Sequence, residues 1–418
     1  MLRLGPRPLR LACRLPGGRP LVLLAELAKT TWLLLFPVWP ALWLVWAFSA
    51  PLDPAIQSRR SQALQLTCLL LLGIASIDVG YGGERVFRPL GRFRFTSQTL
   101  GGDVDAEIRC RQGANRFQGT WLEALPVPLP ENYVLGLDIQ KRDFEAGLYS
   151  YLRGQWRTDG WWSYYVYACA VKTPLGTLLL LSLAAGLSIW PRFGGAGWRN
   201  ETVLLGPPVA IFLLVSFQTG INHHARYVLP ALPFLFIFAS KVVKPGGGQG
   251  KLLGCITGLA LAASIASSMS VYPHSLSYFN ELVGGPRRGP QHLLGGNVDW
   301  GQDILYLRSW YRDHPLARPL HLAHAAYFDP VVAGLPFAEP PVDPNWRYLG
   351  GQTPASGVGP HPGWHAVSVN RLHDWTDQYA YFRRFQPLVT VGYSIHVYHL
   401  TLDDANRVRR ELGLPELP

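Results

Sequence analysis

The chain has 418 residues, a formal net charge of +11 and only 16% charged residues, with 15 Trp contributing to an aromatic share of 12%. That charge content is well below the ~25% of an ordinary soluble domain, yet a mean hydropathy of +0.10 is too low for a chain made of apolar spans throughout. What remains is a mixed protein, part lipid-facing and part wet, and no basic helix or aromatic-interleaved basic groove points to a nucleic-acid partner.

The first twenty residues, rich in Arg and free of acids, have the composition of a transit or signal n-region but lack a small-residue cleavage site behind a proper h-region. A short apolar piece, PLVLLAELA at 20–28, ends at Lys29. Runs of about 20 apolar residues, long enough to cross a bilayer, follow at 31–49, 63–81, 165–190, 202–219, 227–243 and 252–271. The short segments MLRLGPRPLRLACRLPGGR, QSRRSQ, WPRFGGAGWR and KVVKPGGGQGK are basic and nearly free of acids, which assigns them to the cytoplasm. All four face it together when 20–28 and 31–49 form a hairpin tipped by Lys29. The loop 82–164, the segment Asn222–Arg226 and everything past Val271 then share the outer side. Cys68, Cys169 and Cys255 fall in apolar runs and Cys13 and Cys110 stand alone, a pattern of free thiols with neither a metal nor a disulfide framework.

The loop 82–164 is punctuated by Gly and Pro but dense in aromatics. Its last stretch, GWWSYYVY, fits either an interfacial belt or a sugar-stacking surface. Beyond the last span the chain reads as an α/β domain. DWGQDILYLRSWYRDHP is expected to be a helix with Asp299 as N-cap. PLHLAHAAYF, WHAVSVNRL and LVTVGYSIHVYHL read as strands, and TDQYAYFRRF and LDDANRVRREL as amphipathic helices. The expected divisions are 1–81 (basic segment, hairpin and span), 82–164 (outer loop region), 165–271 (four-span membrane region) and 272–418 (outer α/β domain).

Four strings in this order resemble one family. LAKTTWLLLFP resembles a "TK–apolar–P" stretch, and GWWSYYVYACAVKTPLGTLLLL a "PWWYY…P" helix start. NHHARYVLPALPFLFIFAS is similar to "RYLLPxxPFLxxxxA". YFNELVGGPRRGPQHLLGGNVDWGQDILYL is similar to "YFNELxGGPxxGxxxLxDSNLDWGQDLxxL". Together, over about residues 20–310, they resemble a bacterial branch of the GT-C polyprenyl-phosphate-sugar glycosyltransferases, the superfamily of protein O-mannosyltransferases and aminoarabinose transferases. The resemblance implies an α-helical polytopic membrane bundle with an outer-face loop subdomain and a C-terminal soluble α/β domain. It also implies transfer of a sugar from a polyprenyl-phosphate donor to a glycan, lipid or protein acceptor, on the periplasmic face of a bacterial inner membrane. Family members carry an acidic catalytic base in an early outer loop ahead of the TK helix. This chain opens almost at that helix, so the bundle is expected to be N-terminally incomplete and unable to transfer sugar alone.

Such chemistry needs cations for a lipid-linked phosphate, an aromatic and polar cleft for the sugar, and a carboxylate to deprotonate the acceptor. The resemblance assigns the phosphate to Lys29 and Arg226, each of which is otherwise an interfacial anchor. Trp161, Trp162, Tyr164, Tyr165, Lys172 and Tyr227 are the candidates for the cleft, set against an aromatic belt. Lys172, eight residues into its apolar run, must find a partner or line water. Asn297, Asp299, Trp300 and Asp303 either contact an acceptor or dock the tail onto the membrane region, the second being the plainer account. No base is identified. Asp78, near a span end, and Asp103, in the Gly-rich GGDVDAE loop, are the stand-ins, and Glu26 is a further apolar-run acid. Asp103, Asp105 and Glu107 leave a divalent cation open, although a solvated loop accounts for them and no cofactor is called for. His223 and His224 read as loop residues. A non-catalytic membrane subunit or acceptor-binding scaffold is the alternative function. A transporter is disfavoured by the lack of a repeated hydropathy pattern.

Overall fold

The computed structural model describes residues 33–49, 58–189, 197–217, 220, 222–243, 248–325, 328–335, 338–348 and 354–418. The chain forms two compact units. One comprises Met1–Leu148, Leu181–Ile221 and Arg226–Pro245, the other Tyr149–Leu180, Asn222–Ala225 and Gly246–Pro418.

Among the described residues, four helices are long and apolar enough to cross a membrane: Arg59–Gly80, Trp198–Phe217, Ala225–Val242 and Gly250–Met269. A 22-residue helix such as Arg59–Gly80 is ~33 Å long, matching a hydrocarbon core of ~30 Å. Leu64, Leu71 and Val79 on the first of these helices, and Leu252, Leu259 and Ile265 on the last, are exposed. Water penalises such a surface at ~25 cal/mol per Å², whereas lipid does not. In the first unit, helix Leu35–Ser49 packs against Trp198–Phe217 and Arg59–Gly80. Trp43 donates its indole N–H to Gln62 Oε1 at 3.2 Å. Small residues make the close approach: a Cβ at Gly73 would lie 2.9 Å from the Phe36 ring.

The apolar run at 165–190 departs from expectation. Instead of one straight span it forms two helices, Tyr164–Lys172 and Leu175–Ile189, bent by 117°. Pro174 has no N–H and drives the preceding Thr173 into extended geometry, φ −98° and ψ 133°. The loop 82–148 is also more ordered than a linker. It carries helix Glu131–Glu145, whose buried Asp138 accepts from Thr96 N at 2.6 Å, Thr96 Oγ1 at 2.9 Å and Ser97 N at 3.1 Å.

The C-terminal part is α/β. Strands Leu320–Ala323, Gly363–Ser368, Ile395–Leu400 and Val389–Val391 form one sheet in that order, the first pair parallel and the others antiparallel. Adjacent residues of a strand point to opposite faces, and both faces here are covered. Leu320, Leu322, Ala366 and Val397 meet Ile304 and Leu307 of helix Ile304–Asp313. Val367, Tyr398 and Leu400 meet Phe382 and Val408, the latter from helix Leu402–Glu411, which a Thr401–Asp404 capping box starts.

Three expectations need correction. The run 388–400 is a hairpin, because Gly392 (φ 62°) and Tyr393 (φ 67°) turn the chain between two strands. The run 376–385 forms only a 3₁₀ turn at Ala380–Arg384, following Asp377 in the left-handed region at φ 59°. Asp299 is not the cap of the DWGQD helix, which begins at Ile304 with Asp303 in the cap position. Gly301, at φ 87°, lies between them and interrupts any earlier helical turn.

Burial holds three imidazoles of this domain neutral, lowering His365 to about 3, His373 to about 4 and His396 to about 4. A lowered folded value means that the unfolded chain binds protons first, so stability is present above about 6.5 and is lost as pH falls toward these values. Asp299 and Asp303, raised by burial, work in the opposite sense. His223, His292 and His361 of the same unit are lowered as well, so the imidazoles outweigh the two acids, and the denaturant midpoint of the C-terminal unit, followed by Trp fluorescence, should fall between pH ~7 and ~5 by at least ~1 kcal/mol equivalent. A midpoint that stays level or rises over that interval would contradict the burial of these imidazoles.

Candidate functional site

A helix that stops leaves its last carbonyls without donors, and at the Thr173–Pro174 break Asn280 of the YFNEL string supplies them. Its side-chain amide donates to Ala170 O at 2.6 Å and Thr173 O at 3.0 Å, and its backbone N–H donates to Val171 O at 2.9 Å. Lys172 returns the contact. Its ammonium donates to Leu276 O at 2.8 Å and Asn297 O at 2.5 Å and lies 4.6 Å from the centre of the Phe279 ring. Asn297 is 2% exposed. Its amide donates to Tyr164 Oη at 2.8 Å, His223 O at 2.8 Å and Leu294 O at 3.0 Å, while its Oδ1 accepts from Ala225 N at 2.8 Å.

The structure thus brings together Tyr164, Tyr165, Lys172 and Asn297 in one sealed knot. Tyr164 and Tyr165 are 1% and 0% exposed and meet edge to face at 5.1 Å. The polar atoms of Lys172 and Asn297 are spent on protein groups, so this arrangement holds the fold rather than a ligand.

Asp299 and Asp303 face the sheet. The Ser368 hydroxyl, at the end of the second strand, donates to Asp299, and Gly301 N donates to Asp299 Oδ1 at 2.8 Å. Asp303 is fully buried and accepts from Ser394 Oγ at 2.6 Å and Gln302 Nε2 at 3.3 Å, with His274 Nδ1 at 2.8 Å. Burial pushes both carboxyls above the usual range, and these hydrogen bonds offset part of it. Ser, His and Asp are the residue types of a hydrolase triad, but here the hydroxyl and the imidazole both address the carboxylate. Among the described residues no Ser394–His274 bond activates the hydroxyl. The side-chain amide of Asn370 completes the attachment, donating to Asp299 O at 3.0 Å and accepting from Gly295 N at 2.8 Å.

Trp161 donates its backbone N–H to Asn222 Oδ1 at 2.5 Å and stacks under Arg157 at 3.8 Å, whereas Trp162 is 75% exposed. Trp300 meets the His224 ring edge to face at 4.9 Å. His223 Nε2 lies 2.6 Å from Tyr149 O, and burial lowers its basicity. Arg226 and Tyr227 belong to the first unit, the guanidinium 5.9 Å from the phenol ring and Tyr227 6.1 Å from Phe144. Each acid of the GGDVDAE loop has its own contact. Asp103 accepts from Gln98 Nε2 at 3.2 Å, Asp105 caps helix Ala106–Gln112, and Glu107 pairs with Arg111 at 2.8 Å. Among the described residues no three His, Cys, Asp or Glu side chains form a group able to hold a metal ion. Asp78 differs from these acids: its Oδ1 is buried and has no hydrogen-bond partner among the described residues. Lys29 and Glu26 lie outside the described residues.

The sequence did not single out Asn280, His274, Ser368 or Ser394. The available signal was the Thr-Pro pair ending an aromatic helix, which announces orphaned carbonyls without saying which residue meets them. No protein-family model matches this chain, and no curated protein or solved structure matches it either.

Because Asn297 holds four protein groups, two of them on the buried Tyr164 and Leu294, Asn297→Ala should destabilise the protein by at least ~2 kcal/mol or prevent its folding, since each orphaned buried group costs ~1–3 kcal/mol. Asp103→Asn, on an exposed loop, should stay within ~0.5 kcal/mol. Thermal unfolding in lipid nanodiscs makes the comparison, and equal small effects would contradict the knot.

Proposed function

We propose that this chain acts in the transfer of a sugar from a polyprenyl-phosphate carrier to an acceptor at the outer face of a bacterial inner membrane, as a GT-C-type glycosyltransferase. The observation that carries the proposal is the order of four sequence stretches, TK-apolar-Pro, WWSYYVY…TP, RYVLPALPF and YFNELVGGP…NVDWGQD, along one chain. Among the described residues, four helices long and apolar enough to cross a membrane and a C-terminal α/β domain support it.

In this reading Arg226, exposed at the start of an apolar span, meets the carrier phosphate. A planar guanidinium suits the bidentate geometry of that group. Asp78 takes the role of general base. A carboxylate oxygen near the end of a span with no donor spent on it is able to accept an acceptor's proton. The Asp103 carboxylate, by contrast, is exposed and already holds Gln98. The sealed knot around Asn280 and Asn297 then supports the bundle and takes no part in the chemistry.

The test is purified protein in nanodiscs with radiolabelled polyprenyl-phosphate sugar and a periplasmic extract as acceptor. Carrier binding should weaken about tenfold in Arg226→Ala, the loss of a charge-assisted pair. Against the expectation that the chain alone does not transfer sugar, the unpartnered Asp78 oxygen predicts transfer that falls about 10²- to 10⁴-fold in Asp78→Asn and is unchanged in Asp103→Asn. Carrier binding without transfer would leave a non-catalytic membrane subunit or acceptor-binding scaffold as the function, and absence of carrier binding would overturn the transferase reading.

A further inference from the structure

Within the C-terminal unit lies a cavity of about 740 Å³ that none of the proposed transfer chemistry uses. Its walls come from the hairpin Ser150–Leu152/Gln155–Arg157 and from segments near 347 and 373–383. One wall is aromatic and rigid: Tyr149 stacks on Trp375 at 3.9 Å and 14°. The polar handles of the other two large rings are already spent. Trp156 donates its indole N–H to His373 O at 3.0 Å, and Tyr151 donates its hydroxyl to Pro290 O at 2.9 Å. These rings therefore contribute faces and edges, the surfaces on which the C–H face of a pyranose packs.

Charge supplies the second half of the argument. Arg153, Arg347 and Arg383 line the cavity with Asp374 and Asp377. Both acids are engaged, Asp377 by Arg383 at 2.9 Å and Asp374 by the Thr376 hydroxyl. Arg153 and Arg347 have no carboxylate partner among the described residues. The Arg347 guanidinium instead lies 5.6 Å from the Trp375 ring centre. Burial keeps the neighbouring His373 neutral, lowering it to about 4, so it adds no charge. Backbone geometry points the same way. Arg153 (φ 50°) and Asp377 (φ 59°) are both non-glycine residues in the left-handed region, a strain that functional surfaces retain. Arg153 occupies a two-residue hairpin turn with Gly154 at φ 83°, where Asn is the usual choice.

We propose that this cavity binds a saccharide bearing a carboxylate or phosphate group, its ring against Trp156 and the Tyr149–Trp375 wall and its anion between Arg153 and Arg347. A neutral sugar would leave two guanidiniums unused, and a simple anion would leave the aromatic faces unused. The inference goes beyond the transfer reading and does not need it, since it concerns binding alone.

Full-length protein in nanodiscs is titrated with oligogalacturonate, the binding being read by tryptophan fluorescence and by calorimetry. Neutral oligogalactan, polyglutamate and inorganic phosphate are the comparison ligands. Oligogalacturonate should bind, more weakly as salt is raised, and at least about tenfold more tightly than each of the three. Arg153→Gln and Arg347→Gln, both at exposed positions and safe for folding, should each weaken it about tenfold. Equal binding of galactan would overturn the anionic part of the proposal. Equal binding of polyglutamate or phosphate would overturn the saccharide part. Unchanged affinity in the two Arg variants would overturn the site itself. Transfer activity enters none of these readouts, so the proposal survives or fails separately from the enzymatic reading.

Discussion

A helix broken by proline must find donors for the carbonyls it releases, and the need is strictest where water is scarce. Pro174 creates that need in this chain, and Asn280 meets it with three hydrogen bonds to the end of helix Tyr164–Lys172. The 3₁₀ turns between Ser275 and Asn297 have little regular structure of their own. They are ordered because their carbonyls at Leu276 and Asn297 take the Lys172 ammonium and their side chains take the helix end. Each partner would be a liability alone, one an apolar helix with orphaned acceptors and the other an irregular segment with unpaired donors. Together they satisfy one another.

The same segment continues into the sheet. Asn297 closes the helix side of the knot, and six residues later Asp303 receives Ser394 from the turn ahead of the strand Ile395–Leu400, together with His274. Asp299 between them takes the Ser368 hydroxyl. The string NVDWGQD is therefore an attachment strip whose acids and amide each bind a different element of the C-terminal unit. Buried carboxylates raised by desolvation are commonly suspected of catalysis. Here the donors around them are structural.

The helical, apolar character of the chain was legible because it is written in composition: the runs at 63–81, 202–219, 227–243 and 252–271 correspond to helices long and apolar enough to cross a membrane. Strand positions in the tail were legible from alternation, except that the expected strand at 364–372 ends at Ser368 and continues as helix Val369–Leu372. What escaped was geometry that a single residue decides. Pro174 bent a run that otherwise reads as one span, Gly392 and Tyr393 folded one apparent strand into two, and Gly301 displaced a helix start from Asp299 to Ile304. The candidate site was less legible still. Residue type marks Lys172, Asn297, Asp299 and Asp303 as chemically capable, but their hydrogen-bond partners, spread from Tyr164 to Ser394, are set by tertiary contacts that no local pattern encodes. The aromatic and arginine cavity drew no notice for the same reason, since its walls are more than two hundred residues apart in sequence, from Tyr149 to Arg383.

Asn280 couples the end of the apolar helix to the segment that carries the sheet. Amide hydrogen exchange of Asn280→Ala against the unaltered protein in nanodiscs tests it most directly. Protection should fall together in 164–173 and in 276–303, because each stretch supplies the other's hydrogen bonds. A rise in exchange confined to the few residues around position 280, with 164–173 and 294–303 as protected as before, would contradict it.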